Sequence, residues 1–469
     1  MSTTAIDMNA GPALAGALPA SGEKRPKAGG RGDGLVSAVP AGAYEEPIYK
    51  GRTISGRYWV VSDPVAVRRV LVENAANYPK TKMDLGFFAA IFGGGLLGLE
   101  GDDWRRHRRI MAPAFDPRSV AAYGPAMAQS LANFLAGWDG LPDRAEVDFS
   151  SEMTSLALEV ISRAVFSSAS REMMELVRHT LEVGFATAAQ ANLLDLVPII
   201  KDLRMRARER RVAAASADLD AAIEALLAER AQMAEPPPDL LTRLLAARDA
   251  EGGGRLSGKE IRDEIVTIYI AGHETTASTL SWTFYLLSQR PQIAERLHAE
   301  LDAVLGGKPP TADDLPRLTY ARQVVEESMR LYPAAPGLST RQAIAADEIG
   351  GQRIPKGAQV LVLPFVLHRH RKLWDDPECA DPERFSAERS HGRPRFAYLP
   401  FGAGPRVCIG QVLAMNEIIL ALAAIAQRYD PQLIEGARVA LHANVTLRPK
   451  FGLPMRLVRR SAQTVSASG

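Results

Sequence analysis

The sequence predicts a mainly α protein with a small β-rich portion. Three observations carry that expectation. Apolar residues recur at helical spacing through most of residues 119–233, and an unbroken helical run of about thirty residues precedes Pro291. After Pro333 the texture changes, and glycine and proline then punctuate short strand-like pieces.

The elements follow in chain order. Residues 52–54 and 56–61 read as short strands, and a helix starts after Asp63-Pro64. Asp102 and Asp103 are N-cap candidates for a helix carrying Trp104. Leu156, Leu158, Val160, Ile161 and Val165 form an apolar helical stripe. Pro236, Pro237 and Pro238 punctuate, and a short helix then runs to the turn at Gly252, Gly253 and Gly254. Ser257 with Glu260 makes a capping box that opens the long helix. Residues 341–365 read as hairpin strands around Gly350-Gly351 and Pro355-Lys356-Gly357. A proline-broken loop over 375–401 leads to a helix over 411–427, and residues 445–457 are strand-like. No internal repeat is present and no linker divides the chain. An Ala/Gly/Pro-rich disordered tail over 1–40 and a single domain over 41–469 are therefore expected.

Composition excludes several function classes. Lys+Arg 56 against Asp+Glu 54 leaves a net charge of only +2, without the basic excess of a nucleic-acid binder. Two cysteines, Cys379 and Cys408, cannot staple a scaffold or build a Cys-rich zinc module, and no His-Glu-x-x-His run is present. The longest apolar stretch, 85–99, is about fifteen residues and is broken by Gly93, Gly94 and Gly95, short of the ~20 a spanning helix needs. With no secretory signal either, the chain is expected in the cytoplasm, without a transmembrane anchor.

The most informative stretch is 401–410. It is a glycine-dense loop, Phe401-Gly402-Ala403-Gly404-Pro405-Arg406-Val407-Cys408-Ile409-Gly410, leading straight into an apolar helix. Cys408 sits near that helix's N-terminus, where unpaired N–H groups and the positive dipole end favour a thiolate. Gly404 and Gly410 let backbone turn tightly and approach a flat ligand. Arg406 is placed to meet a carboxylate on that ligand. A cysteine taken alone is ordinarily an inert small hydrophobe. The complete pattern Phe-x-x-Gly-x-Arg-x-Cys-x-Gly reverses that, and it resembles the heme-binding loop of the cytochrome P450 family of heme-thiolate monooxygenases. Cys379, in a Pro-Glu-Cys-Ala loop without such a cradle, is expected to be structural.

Further motifs extend the resemblance. Ala271-Gly272-His273-Glu274-Thr275-Thr276 lies in the middle of the long helix, where glycine and threonine weaken helix without aiding packing. The stripe Ile261, Ile265, Ile268, Gly272 and Thr275 gives one face for a flat cofactor, with space above Gly272 for a small molecule. Glu274 and Thr275 point about 100° apart and act only in series. They resemble the family's acid–alcohol pair, which implies proton delivery, with Thr275 toward the site and Glu274 toward water. Glu327 and Arg330 share a helix face, and with Arg384 they resemble the family's buried Glu-x-x-Arg network supporting the heme loop. Trp104 and Arg108 resemble its contact with a heme propionate. Arg341 and Arg406 complete the implied propionate set, since a guanidinium suits a carboxylate.

The resemblance implies the P450 fold, with heme b (iron protoporphyrin IX) between the long central helix and the cysteine loop and helix. Cys408 would ligate the iron, Phe401, Gly402, Gly404, Gly410, Ala271 and Gly272 would surround the heme, and Glu274 and Thr275 would be catalytic. Residues 85–99 match the family's lid region. Phe87, Phe88, Ile91 and Phe92 would form an apolar wall there, with Gly93, Gly94 and Gly95 as a hinge. The implied reaction inserts one oxygen atom of O2 into an apolar molecule such as a fatty acid, terpenoid or steroid-like compound. Electrons would come from a ferredoxin or flavodoxin with its reductase, docking in part on Arg105, Arg106 and Arg109, unless those form a plain solvated face. Peroxide-using or isomerising relatives and heme sensors are the rivals, and the intact Glu274-Thr275 pair counts against both.

Overall fold

The computed structural model describes residues 33–53, 56–167, 175–176, 179–180, 183 and 198–460. The greater part of the expected N-terminal tail, 1–32, lies outside them. Residues 33–40, assigned to the tail from composition, instead carry a short strand, Asp33–Gly34, and a 3-10 turn, Leu35–Ala38. That strand pairs in parallel with His442 and Ala443, a long-range partner that composition cannot reveal.

The chain folds into two compact units. The first comprises Met1–Thr81, Leu131–Leu156 and Glu274–Gly469, and the second Lys82–Ser130 and Ala157–His273. Every strand described lies in the first unit. Its four-stranded sheet runs in the order Ile48–Thr53, Gly56–Val61, Gln359–Leu361, Arg341–Gln342, with one parallel pairing between the second and third. Trp59, Val61, Val360 and Val362 of this region are buried with Val70, Leu71 and Leu399, and Ala403 packs on the same cluster. The sheet core therefore touches the cysteine loop directly. Gly350 and Gly351, both at positive φ, close the hairpin Asp347–Ile349/Gln352–Ile354 as their sequence predicts. A strand that pattern reading misses, Glu146–Asp148, pairs with Pro454–Arg459.

The regular elements described in the second unit are helices, joined by turns and loops. The long helix is Gly258–Ser288, 31 residues, and its capping box forms. The Ser257 amide donates to Glu260 Oε2 at 2.7 Å, and the Glu260 amide to Ser257 Oγ at 3.3 Å. The helix contributes its residues up to His273 to the second unit and those from Glu274 to the first. The Trp104 helix is Gly101–Met111, with Glu100 at the N-cap. Asp102 and Asp103 thus fill its first turn, where carboxylates suit the helix dipole, rather than capping it. Among the described residues, no helix is long and apolar enough to cross a membrane.

Candidate active site

The cysteine loop is shaped by two left-handed glycines. Gly402 and Gly404 have φ of 71° and 72°. A Cβ on Gly404 would overlap the Leu71 carbonyl oxygen, so this position is closed to any other residue. The loop folds back so that the Cys408 amide donates to the Phe401 carbonyl at 2.9 Å. The helix that follows, Gln411–Arg428, is buried along most of its length from Leu413, yet Cys408 ahead of it is exposed. Gly410 differs from Gly404. Its φ is −88°, and a Cβ there would meet no protein atom within 4 Å. No protein contact asks for glycine at that position.

Behind the loop, Glu327 and Arg330 of the helix Thr319–Leu331 form a fully buried ion pair. Two parallel bonds of 2.7 Å join Arg330 Nε and Nη2 to Glu327. The remaining Arg330 donors go to the carbonyls of His368 at 3.0 Å, Pro377 at 2.6 Å and Cys379 at 3.0 Å. Arg384 approaches Glu327 at 3.6 Å and donates to the Asp376 carbonyl at 3.1 Å. The structure thus brings Glu327, Arg330 and Arg384 into one network. It adds His368, which sequence reading missed. Burial, then Arg330 and Arg369, push its imidazole down to about 3, so it is neutral. His368 Nε2 accepts the Leu399 amide at 2.8 Å, two residues before Phe401, and so links the network to the cysteine loop.

On the long helix, Glu274 does not point freely to water. Its Oε1 accepts the Thr446 hydroxyl at 2.6 Å, so the carboxylate is half-buried and oriented from the C-terminal region. Thr275 is half-buried and Ala271 exposed. Gly272 has a packing reason that the sequence did not show. A Cβ there would lie 3.1 Å from Ile161 Cδ1, so the expected open space above it is occupied on that side by the neighbouring helix. His273, to which no role was given, is buried, with its Nδ1 2.6 Å from the Tyr269 carbonyl.

Phe87, Phe88, Ile91 and Phe92 lie on the helix Lys82–Phe92. Phe87 and Phe88 are half-buried, and Ile91 and Phe92 are buried. The glycines after them are not a free hinge. The Gly94 amide donates to Asp263 Oδ2 at 2.9 Å and the Leu96 amide to Glu264 Oε2 at 3.1 Å. A Cβ on Gly95 would overlap the Thr267 hydroxyl. These glycines permit close approach to the long helix, so this end of the segment is clamped.

Trp104 and Arg108, one helical turn apart and both half-buried, belong to the second unit, whereas the half-buried Arg341 and Arg406 belong to the first. Arg105, Arg106 and Arg109 do not form an open basic face. Arg105 pairs with Asp102, Arg106 with Glu260 at 2.7 Å, and Arg109 with Asp249 at 2.9 Å. Between them His107 is buried, with Nδ1 2.7 Å from Glu264 and Nε2 3.2 Å from Glu260. Burial opposes charge on this imidazole, but the two carboxylates hold its pKa above the ordinary value.

A mainly helical fold that presents a thiol on a glycine-shaped loop, backed by a buried Glu–Arg network, defines the class of heme-binding oxidoreductases. The family model of cytochrome P450 matches residues 42–452. The chain is 37% identical over 398 residues to cyclooctatin synthase of Streptomyces melanosporofaciens, covering 84% of each. It is 36% identical to cyclooctat-9-en-7-ol 5-monooxygenase of the same organism, covering 81% of each chain. To pentalenene oxygenase of Streptomyces avermitilis it is 33% identical, over 86% of this chain and 88% of that one. Among solved structures, the cytochrome P450DA heme domain superposes with a TM-score of 0.78 at 26% identity, covering 89% of this chain and 90% of that one.

The chain belongs to the cytochrome P450 family. It is a heme-dependent monooxygenase with the P450 fold, and iron protoporphyrin IX is its cofactor. Like others of its family it uses O2, a redox partner and an apolar substrate. The residues present fit that cofactor. Cys408 is an exposed soft donor, and the Cβ of any other residue at Gly410 would fill space that no protein atom claims.

Proposed function

We propose that this protein hydroxylates or epoxidises a terpenoid in the cytoplasm, that Cys408 would hold the heme iron, and that the segment 41–469 is one heme-thiolate monooxygenase domain. The observation that carries the reading is the loop 401–410, whose two left-handed glycines and internal bond from the Cys408 amide to the Phe401 carbonyl shape the backbone that carries the exposed Cys408. The terpenoid class is supported by the relatives' names, two of which carry the cyclooctat- stem and one pentalenene.

When bound, heme supplies the activation of O2 and the insertion of one of its atoms into a substrate bond. The balance for hydroxylation is substrate C–H plus O2, two electrons and two protons giving C–OH plus water. The chain's own residues do the rest. Arg341 and Arg406 would hold the cofactor by its carboxylates, the role that the family resemblance also gives Trp104 and Arg108. Thr275 holds a hydroxyl proton at the reacting side of the long helix, and Glu274 replenishes it, steadied by the Thr446 hydroxyl. Phe87 and Phe88 offer an apolar wall to the substrate and exclude water, with the buried Ile91 and Phe92 behind them. The electron donor is a ferredoxin or flavodoxin with its reductase. Arg105, Arg106 and Arg109 are each paired with a local carboxylate, which weakens the attraction this face offers an acidic partner.

The test is a spin-shift titration of the purified holoenzyme with cyclic diterpenes, sesquiterpenes, fatty acids and steroids. Turnover of the shifting compounds with a ferredoxin and reductase follows. Terpenes alone shifting the spin state and gaining oxygen is the expected result. Shifts confined to fatty acids or steroids would overturn the substrate class.

A further inference from the structure

Gly404 does more than turn the cysteine loop. Its Cα faces the Leu71 carbonyl so closely that a Cβ would overlap the oxygen and lie 2.9 Å from the carbonyl carbon. Leu71 lies within a π-helical turn, Arg69–Glu73, closed by the Asn74 amide bonding to the Arg69 carbonyl at 2.8 Å. Such widened turns are rare and hold their shape only when the surroundings enforce it.

Here the enforcement comes from one carboxylate 273 residues away in sequence from Asn74. Asp347 accepts Arg69 Nη2 at 2.6 Å and Arg69 Nε at 3.1 Å. It also accepts Asn74 Nδ2 at 2.9 Å and the buried Tyr78 hydroxyl at 2.9 Å. Its side chain is 6% exposed. Burial alone would raise the Asp347 carboxyl, but the donors Arg69, Asn74 and Tyr78 hold it at about 2, so it stays anionic. Asn77 ties the next stretch to the same segment, donating to the Ala345 carbonyl at 3.2 Å and accepting the Ala345 amide at 2.8 Å. Leu71 and Tyr78 are buried in the apolar cluster on which Ala403 packs.

We infer that Asp347 is a positioning residue for the axial cysteine: it clamps the π-turn 69–73, whose Leu71 carbonyl is the seat of Gly404, and so fixes the loop that carries Cys408. The Glu327–Arg330–Arg384 network holds the loop's approach through His368 and Leu399, and the Asp347 clamp holds its opposite wall, against Gly404. The inference rests on Cys408 being the ligand.

The experiment compares wild type, Asp347→Asn, Asp347→Glu and Asn74→Ala as ferrous–CO holoenzymes, with Asp139→Asn as control. Asp139 accepts from Arg428 and from the Tyr429 hydroxyl at 2.8 Å, a comparable contact away from the loop. The readout is the rate at which the thiolate-type Soret band converts to the thiol type, at a temperature where far-UV circular dichroism is unchanged. Loss of a charge-assisted contact predicts about tenfold faster conversion in Asp347→Asn. A smaller acceleration is expected in Asn74→Ala, which also serves if Asp347→Asn fails to fold, with partial rescue in Asp347→Glu and no acceleration in the control. Wild-type rates in Asp347→Asn and Asn74→Ala, or equal acceleration in Asp139→Asn, would overturn the inference. A wild-type protein lacking any thiolate band would overturn the ligand assignment instead.

Discussion

Cys379 and Cys408 both lie in proline-interrupted loops of the same compact unit, and they differ in which of their atoms the protein uses. At Cys379 the backbone matters: its carbonyl takes Arg330 Nη2 at 3.0 Å, while the sulfur has only a 3.9 Å contact to the Ala380 carbonyl. At Cys408 the backbone is satisfied by Phe401, and the thiol is left exposed ahead of a buried helix. One loop is defined by the path of its chain, the other by its side chain. An unremarkable residue type can therefore carry opposite meanings, and its surroundings decide which.

Substitution breaks the comparison most sharply. Cys408→Ser is expected to abolish product formation, whereas Cys379→Ser keeps it within about twofold, because the serine carbonyl still serves Arg330. Steady-state turnover with a ferredoxin and its reductase checks both. Next in size is Arg330→Ala, which strands the fully buried Glu327 and leaves three loop carbonyls without their donor. A loss of about 3–5 kcal/mol is expected in urea denaturation, with poor recovery of holoprotein.

The two glycines of the cysteine loop sharpen the same contrast. Gly404→Ala collides with protein and should unsettle the apoprotein loop. Gly410→Ala meets no protein atom, so apoprotein stability should be unchanged while heme affinity falls about tenfold, or about 1.4 kcal/mol, at the lower end of what overpacking costs. Thermal melting of the apoprotein and heme titration separate the two. Thr446→Val releases Glu274 without removing it, and should lower product formed per electron several-fold, less than Thr275→Ala, which loses on the order of tenfold or more.

The smallest effect concerns Glu326, adjacent to the Glu327 pair. Burial raises its carboxyl to about 6, against the weaker pull of Arg322 and Arg393. A carboxyl raised in the folded state stabilises below its unfolded value of about 4.5, and that contribution is lost as pH rises through about 6. Glu326→Gln should therefore gain stability relative to wild type across that window, by about 1 kcal/mol. Chemical denaturation at about pH 5 and about pH 8, on either side of the transition, reads the difference.

Local chemistry made much of this legible in the sequence. The long helix announced itself through Ser257, Glu260 and the distance to Pro291, and the hairpin through Gly350-Gly351, because caps and turns are decided by neighbouring residues. The cysteine loop was legible through residue types at fixed spacing. What stayed hidden depends on partners far along the chain. Thr446 on Glu274, His368 on Leu399 and Asp347 on the π-turn span separations that no local pattern encodes. Gly93, Gly94 and Gly95 look like a hinge in one dimension and prove to be a close-contact surface once Asp263 and Glu264 are opposite them. Buried carboxylates were likewise silent: no pattern around His107 announces Glu260 and Glu264, which enclose it.

The ferrous–CO absorption spectrum of the purified wild-type holoenzyme tests the central claim most directly, with Cys408→Ser measured beside it. A thiolate-type, red-shifted Soret band in the wild type that is lost in Cys408→Ser is the predicted result. A wild-type band at the position of imidazole- or thiol-ligated heme, or a thiolate-type band that survives in Cys408→Ser, would contradict it.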